Sequence, residues 1–168
     1  MSEKINICSR LKLQWTGIFH LEELYKKMKF WLDFNGYGDE KNNFIEERYV
    51  ERIKGPSKQL EVKWIGEKLI DDYFSILFTI DFLILGLKEV EVQKEGRKIK
   101  MNSGTVIIYF NSDLVTNRQN KYKDSGFFKK FYENVLIRSS LENHQKAAYS
   151  KIYSFHDEVK SYLELLRY

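Results

Sequence analysis

Histidine and cysteine are the side chains that most often bind metal ions or act as bases and nucleophiles near neutral pH. The chain has three histidines, His20, His144 and His156, and one cysteine, Cys8. No histidine stands at a recognised metal-site spacing from a cysteine, a carboxylate or another histidine. We therefore expect neither a metal nor a cofactor, and we interpret His20 as a helix-start residue rather than a base.

Motifs for nucleophilic catalysis and phosphate binding are missing from the sequence. It contains no G-x-S-x-G, no Walker loop and no G-x-G-x-x-G. Asp81 lies within an apolar run, where a carboxylate facing a cavity would have a raised pKa and could act as an acid or base. It shares its parity with Ser75 and Thr79, however, which favours a position facing water. The sequence gives no positive support for an enzyme and no catalytic residue.

A basic segment interleaved with aromatic residues is a sharper indication of binding. Residues 118–130 carry a net charge of +4, the same as the formal net charge of the whole chain. Lysines there could grip phosphates while rings stack on bases; the alternative is a solvated loop whose phenylalanines anchor the following helix. Contact with RNA through this loop, or with a protein through the C-terminal helix, is one functional hypothesis. Its residues are Arg118, Lys121, Lys123, Lys129 and Lys130.

Aromatic residues make up 15% of the chain, with 12 Phe, 11 Tyr and 3 Trp. Large rings on core-facing positions can leave a shaped void, and ligand sites are mostly concave and apolar. The preferred hypothesis is therefore a non-catalytic binding module with an aromatic-lined cavity for a small hydrophobic ligand; the alternative is a filled core. The expected lining residues are Trp15, Trp31, Trp64, Phe78, Tyr109 and Phe155.

The elements that would position these side chains begin with a strand and a helix. Residues 5–15 alternate apolar and polar side chains, which predicts a half-buried strand. Residues 20–35 repeat apolar side chains at three- and four-residue spacing, which predicts an amphipathic helix. Gly36 is well placed to end it in a left-handed conformation. Phe30 and Phe34 fall outside the main apolar stripe, which favours a helix covered on two sides.

Strand patterns dominate the middle of the chain. Residues 44–54 favour a strand that pairs through the Gly55-Pro56-Ser57 turn with the next strand, although a possible capping box leaves a helix open. The plainest strand is 74–84, where apolar residues occupy one parity throughout. Further strand segments follow at 90–92, 97–101 and 105–110, and residues 111–124 are predicted to form a polar loop.

The C-terminal third is predicted to be helical, with a long helix from Leu141 after a break near Ser139 and Ser140. The whole predicts one α+β domain over residues 1–168. A curved antiparallel sheet of about six to seven strands packs on this helix, with one amphipathic helix after the first strand.

The expected location is the cytoplasm. The lone Cys8 fits a reducing compartment, and the first residues lack the apolar run of a signal peptide. The most apolar stretch, residues 73–87, is 15 residues long, whereas a membrane helix needs about 20. We therefore expect no membrane span.

This element order resembles the helix-grip fold of the START and polyketide-cyclase-like superfamily, in which a curved sheet wraps a long C-terminal helix. The segments that carry the resemblance are Leu-Lys-Leu-Gln-Trp, Phe-Ser-Ile-Leu-Phe-Thr-Ile-Asp-Phe and the helix through Ile152, Phe155 and Val159. It implies an apolar cavity between the sheet and that helix. The segment Glu-Glu-Leu-Tyr-Lys-Lys-Met-Lys-Phe-Trp-Leu is similar to stretches in small archaeal proteins, a similarity that implies no activity.

Overall fold

The computed structural model describes residues 3–38, 44–117 and 138–165 of the chain. These residues form an α+β fold, one antiparallel sheet of five strands with two helices packed on one face. The predicted helix after the first strand and the predicted long C-terminal helix are both confirmed. The elements are β1 (Glu3–Phe19), α1 (Leu21–Phe34), β2 (Phe44–Lys54), β3 (Ser57–Leu69), β4 (Phe74–Lys94), β5 (Arg97–Thr116) and α2 (Arg138–Leu165).

The strand order across the sheet is β1-β5-β4-β3-β2. Strands β2 to β5 follow one another as antiparallel neighbours, and β1 pairs with the last of them. The first two strands of the chain therefore occupy opposite edges of the sheet. In sequence, α1 lies between β1 and β2, so it connects the two edges of the sheet. It crosses one face of the sheet, which we call the inner face.

The strand count is lower than predicted because segments expected to be separate are continuous. Residues 90–92 belong to β4, and residues 97–101 and 105–110 both belong to β5. Gly86, with φ of +63°, lies in a register shift between Leu85 and Lys88 that bends β4 without ending it. The predicted loop at 111–124 is wrong for residues 111–116, which extend β5. Within them the half-buried Asn111 and Asp113 alternate with the buried Ser112 and Leu114, as in a sheet with one solvated face.

Two tight turns join neighbouring strands, and the first confirms a predicted strand pairing. The strand over residues 44–54 is confirmed, because Lys54 pairs with Ser57 across Gly55 and Pro56. Glu95 and Gly96 connect β4 to β5 with φ of 51° and 76°. Positive φ at both central residues is the geometry of a type I′ turn, whose twist matches that of the flanking strands.

The core lies between the inner face and the two helices. Phe155 of α2 stacks on Trp31 of α1 with ring centroids 4.4 Å apart and meets Phe110 of β5 edge-on at 5.2 Å. Phe30 and Phe34 are 65% and 79% exposed, so the expectation of a helix covered on two sides is wrong. The helical side chains buried in the core are Leu24, Met28, Leu32, Ala148, Ile152, Phe155, Val159 and Leu163.

The end of α1 fixes how the chain leaves the core. The amide of Tyr37 donates to the carbonyl of Leu32 at 2.8 Å, and the amide of Gly36 donates to Asp33 at 3.0 Å. With φ of +81° at Gly36, this is a Schellman motif, and the predicted helix end is confirmed. The motif turns the Tyr37 ring inward, where it stacks on Phe78 with centroids 4.1 Å apart.

The C-terminal helix is described from Arg138 onward, and Ser139 and Ser140, near which a break was predicted, are helical. Residues 118–137 lie outside the described part of the chain. Over the described ranges, no helix combines the length and apolar character needed to cross a membrane.

Candidate apolar binding cleft

A cleft of about 540 Å³ opens between α1 and the inner face of the sheet. This volume falls in the range of small-molecule sites, roughly 300 to 1,000 Å³. The apolar residues that line the cleft come from the helix and four strands: Leu21, Leu24, Tyr25, Tyr49, Leu60, Val62, Phe82, Ile84 and Met101. The polar residues around it are His20, Glu22, Lys26, Glu89, Lys100 and Asn102.

The cleft lies beside the first turns of α1 rather than beyond its end. The helix begins at Leu21, which bonds Asn102 of β5, the ladder partner of Glu89 on β4. Just after the helix ends, Tyr37 stacks on Phe78 of β4. Phe82 and Ile84 lie between these two levels of β4, next to the helix, and they form the floor of the cleft.

The start of α1 is held against the sheet at one side of the cleft. The Nδ1 atom of His20 accepts a hydrogen bond from the amide of Glu23 at 3.3 Å, which caps the helix. The predicted role of His20 as a helix-start residue is thus confirmed. The amide of Leu21, the first residue of the helix, donates to Oδ1 of Asn102 at 3.0 Å. These two bonds satisfy free amides of the first turn and tie it to β5.

The wall formed by Tyr25 is held by a carboxylate of the edge strand. Glu46 accepts hydrogen bonds from the hydroxyl of Tyr25 and from Nε1 of Trp64, the latter at 3.0 Å. The rings of Tyr25 and Trp64 meet edge-on with centroids 4.6 Å apart. A register shift between Glu46 and Arg48 accompanies the contact. One side chain of β2 thus connects the helix to β3 and sets one wall of the cleft.

A two-stranded ribbon extends the sheet on the opposite side. Strand β3 pairs with β4 only as far as Leu87, and β1 pairs with β5 only as far as Asn102. Beyond these points β4 and β5 pair with each other alone, up to Lys94 and Arg97. The ribbon places Glu89 and Lys100 at the rim.

The charged groups on the rim are paired within each wall. Lys26 lies 2.5 Å from Glu22 on α1, and Lys100 lies 2.8 Å from Glu89 on the ribbon. In each pair the hydrogen bond, followed by the opposite charge, lowers the pKa of the glutamate and raises the pKa of the lysine. Both pairs are exposed, and their formal charges cancel.

The six residues predicted to line a cavity lie elsewhere. Trp64, Phe78 and Phe155 are fully buried in the packed core. Trp31 and Trp15 are half-buried and pack against that core. None of these five lines the cleft, although Trp64 supports its wall from behind.

Tyr109, the sixth, lies on the outer face of the sheet, where the guanidinium of Arg10 stands 4.4 Å from its ring centroid. Asp81 pairs with it across the strands, so both point away from the core. Asp81 is half-buried there, with Nδ2 of Asn111 3.5 Å from its Oδ2. A cavity lined by the six predicted residues stays a prediction.

Sequence reasoning did not identify the side chains that form the cleft. Alternation placed Leu60, Val62, Phe82 and Ile84 on the core-facing parity, and this is where they are. Alternation does not show which inward positions a helix covers. The path of α1 across the sheet decides this, and it depends on contacts between residues far apart in sequence, such as Leu21 and Asn102.

The alternative basic site, with its residues Arg118, Lys121, Lys123, Lys129 and Lys130, lies outside the described residues. Within residues 3–38, 44–117 and 138–165, no group of three histidine, cysteine or acidic side chains could hold a metal ion. No protein-family model, no curated protein and no solved structure matches this chain.

Proposed function

We propose that this protein is a binding module for a small hydrophobic ligand and that the ligand occupies the cleft between α1 and the sheet. The observation that carries the proposal is a concavity of about 540 Å³ with an almost wholly apolar floor. The helix-grip resemblance implies a cavity next to the C-terminal helix, whereas this cleft lies next to α1, so the proposal depends on the cleft alone.

The arrangement of the walls favours a compact ligand that enters from one side. The floor residues Val62 and Ile84 are buried, whereas Tyr49 on the edge strand is 52% exposed. Val62 and Tyr49 are direct neighbours across the β2–β3 ladder. A ligand resting on the floor would cover the exposed ring of Tyr49. Each methylene group it transfers from water to the cleft would contribute about 0.8 kcal/mol, or roughly fourfold in affinity.

The test is a fluorescence titration with N-phenyl-1-naphthylamine, an uncharged apolar probe that brightens in dry sites. We expect saturable binding, with competition by linear alcohols that strengthens by roughly two- to fourfold for each added methylene. Val62→Phe places extra volume in the cleft and should weaken binding about tenfold. Ile65→Phe is the matched control, because Ile65 lies on the same strand with the opposite parity.

Two results would contradict the proposal. The first is an absence of saturable probe binding to a protein that melts cooperatively. The second is an equal loss of binding in both phenylalanine variants, since this would place the probe away from the inner face. Thermal melting of both variants shows whether each remains folded.

A further inference from the structure

We infer that the ligand of the cleft is uncharged and that the rim discriminates against carboxylates of the same apolar size. This inference depends on the proposed function and adds the chemical class of the ligand. It follows from how the rim is built, with two lysines and two glutamates that neutralise one another in pairs.

Each wall of the cleft contributes one ion pair. The helix carries Glu22 and Lys26 one turn apart, and the ribbon carries Glu89 and Lys100 on its two strands. The lowered pKa values of both glutamates and the raised pKa values of both lysines keep all four groups charged across the neutral pH range. Neither wall therefore presents an uncompensated charge.

A carboxylate at this rim gains little from the lysines. Its attraction to Lys26 and Lys100 is opposed by repulsion from Glu22 and Glu89, which lie within hydrogen-bond distance of those lysines. A charge that leaves water without a compensating partner raises the free energy of the complex. For an alkylammonium group, attraction to Glu22 and Glu89 is likewise opposed by repulsion from Lys26 and Lys100. A hydroxyl or carbonyl group has a much smaller desolvation cost.

The uncharged polar groups at the cleft suit such a ligand. Because Nδ1 of His20 accepts from the amide of Glu23, the neutral ring carries its proton on Nε2. Asn102 uses its Oδ1 as an acceptor for the amide of Leu21, so its amide nitrogen is the group that can donate. Both residues line the cleft, and both supply donors for a ligand hydroxyl or carbonyl oxygen.

The experiment compares decan-1-ol, decanoate and decylammonium as competitors of N-phenyl-1-naphthylamine at pH 7.5. For the unmodified protein we expect the alcohol to compete about tenfold better than either ion. Glu89→Gln and Glu22→Gln each remove the partner of a rim lysine. Each should strengthen decanoate binding by roughly two- to fivefold, and the double variant by about tenfold, with no change for the alcohol. High salt should abolish the gain.

Glu164→Gln is the matched control. Glu164 forms an i,i+4 ion pair with Lys160, as Glu22 does with Lys26, but it does not line the cleft. This variant changes the net charge by the same amount and should leave decanoate binding unchanged.

The outcomes separate the two proposals. If the probe binds and the alcohol competes, but decanoate binds the unmodified protein better than the alcohol, the uncharged-ligand inference fails and the proposed function stands. An equal gain for decanoate in Glu164→Gln and Glu89→Gln likewise overturns the inference, because the effect then belongs to the net charge. If the probe does not bind at all, the proposed function fails and the inference fails with it.

Discussion

Nε1 of Trp64 donates to the carboxylate of Glu46 at 3.0 Å, and the indole that makes this bond is fully buried. The bond joins the edge strand β2 to Trp64 of β3. The rings of Tyr25, Phe44 and Phe82 each meet the indole of Trp64 edge-on. A buried indole N–H needs an acceptor, because an unmade hydrogen bond costs more than a made one contributes. Glu46 is therefore a structural residue of the cleft wall.

Glu46→Ala should lower the free energy of unfolding by about 1 to 3 kcal/mol, because it leaves the Trp64 N–H without this acceptor. Urea denaturation measures the change. The control is Glu47→Ala, since Glu47 forms a surface ion pair with Lys63 at 2.5 Å, an interaction that contributes about 0 to 1 kcal/mol. An equal effect in the two variants would contradict the role assigned to Glu46.

Gly66→Ala should destabilise the fold by about 1 to 3 kcal/mol. A Cβ atom there would stand 2.7 Å from the carbonyl oxygen of Tyr37, a backbone atom held by the Schellman motif. Gly36→Asn separates crowding from backbone strain. The three atoms nearest to its Cβ would all belong to the flexible side chain of Lys68, at 3.6 to 3.9 Å, and asparagine tolerates the left-handed conformation. We expect less than about 1 kcal/mol there, and a larger loss at Gly36 than at Gly66 would refute the crowding argument.

Phe155→Ala should destabilise the protein by about 3 to 5 kcal/mol, because it removes the ring that α1, α2 and β5 share. Phe34→Ala removes the same side chain from a site that is 79% exposed and should change stability by less than about 0.5 kcal/mol. Denaturant midpoints of the two variants test the pair. Similar losses would mean that Phe34 is covered in solution.

Tyr37→Phe should leave stability at pH 7 unchanged or slightly higher, and it should lessen the loss of stability at alkaline pH. The Tyr37 hydroxyl is buried and finds no hydrogen-bond partner in the described part of the chain. Burial raises the pKa of Tyr37 above its ordinary value of 10.0. Above pH 10 the unfolded chain loses this proton while the folded chain keeps it, so stability falls as pH rises.

Chemical denaturation of the Tyr37→Phe variant and the unmodified protein at pH 7 and at pH 10.5 measures both effects. The other tyrosines are common to the two proteins, so the difference between them isolates Tyr37. A loss of more than about 1 kcal/mol at pH 7 would show that the hydroxyl has a partner.

The fold was predictable where local patterns determine it. Alternation, helical spacing and Gly36 located the strands, α1 and its end, because each depends on residues close in sequence. The strand count was overestimated because Gly86 and Gly104 resemble breaks between strands. In the structure, Gly86 lies in a bulge that leaves β4 continuous, and Gly104 pairs with Gly17 within the β1–β5 ladder. The cleft was not predictable, since it depends on the path of α1 across the sheet and on the Glu46 contact across strands.

The pairing of β1 with β5 has a consequence for synthesis of the chain. Glu3 and Thr116 are partners in the finished ladder although 113 positions separate them, so β1 can pair only after β5 has left the ribosome. At about 5 to 20 residues per second, this delay is on the order of ten seconds. Throughout that time the apolar row of β1 is available to chaperones or to other nascent chains, whereas each of β3, β4 and β5 finds its hairpin partner soon after it emerges.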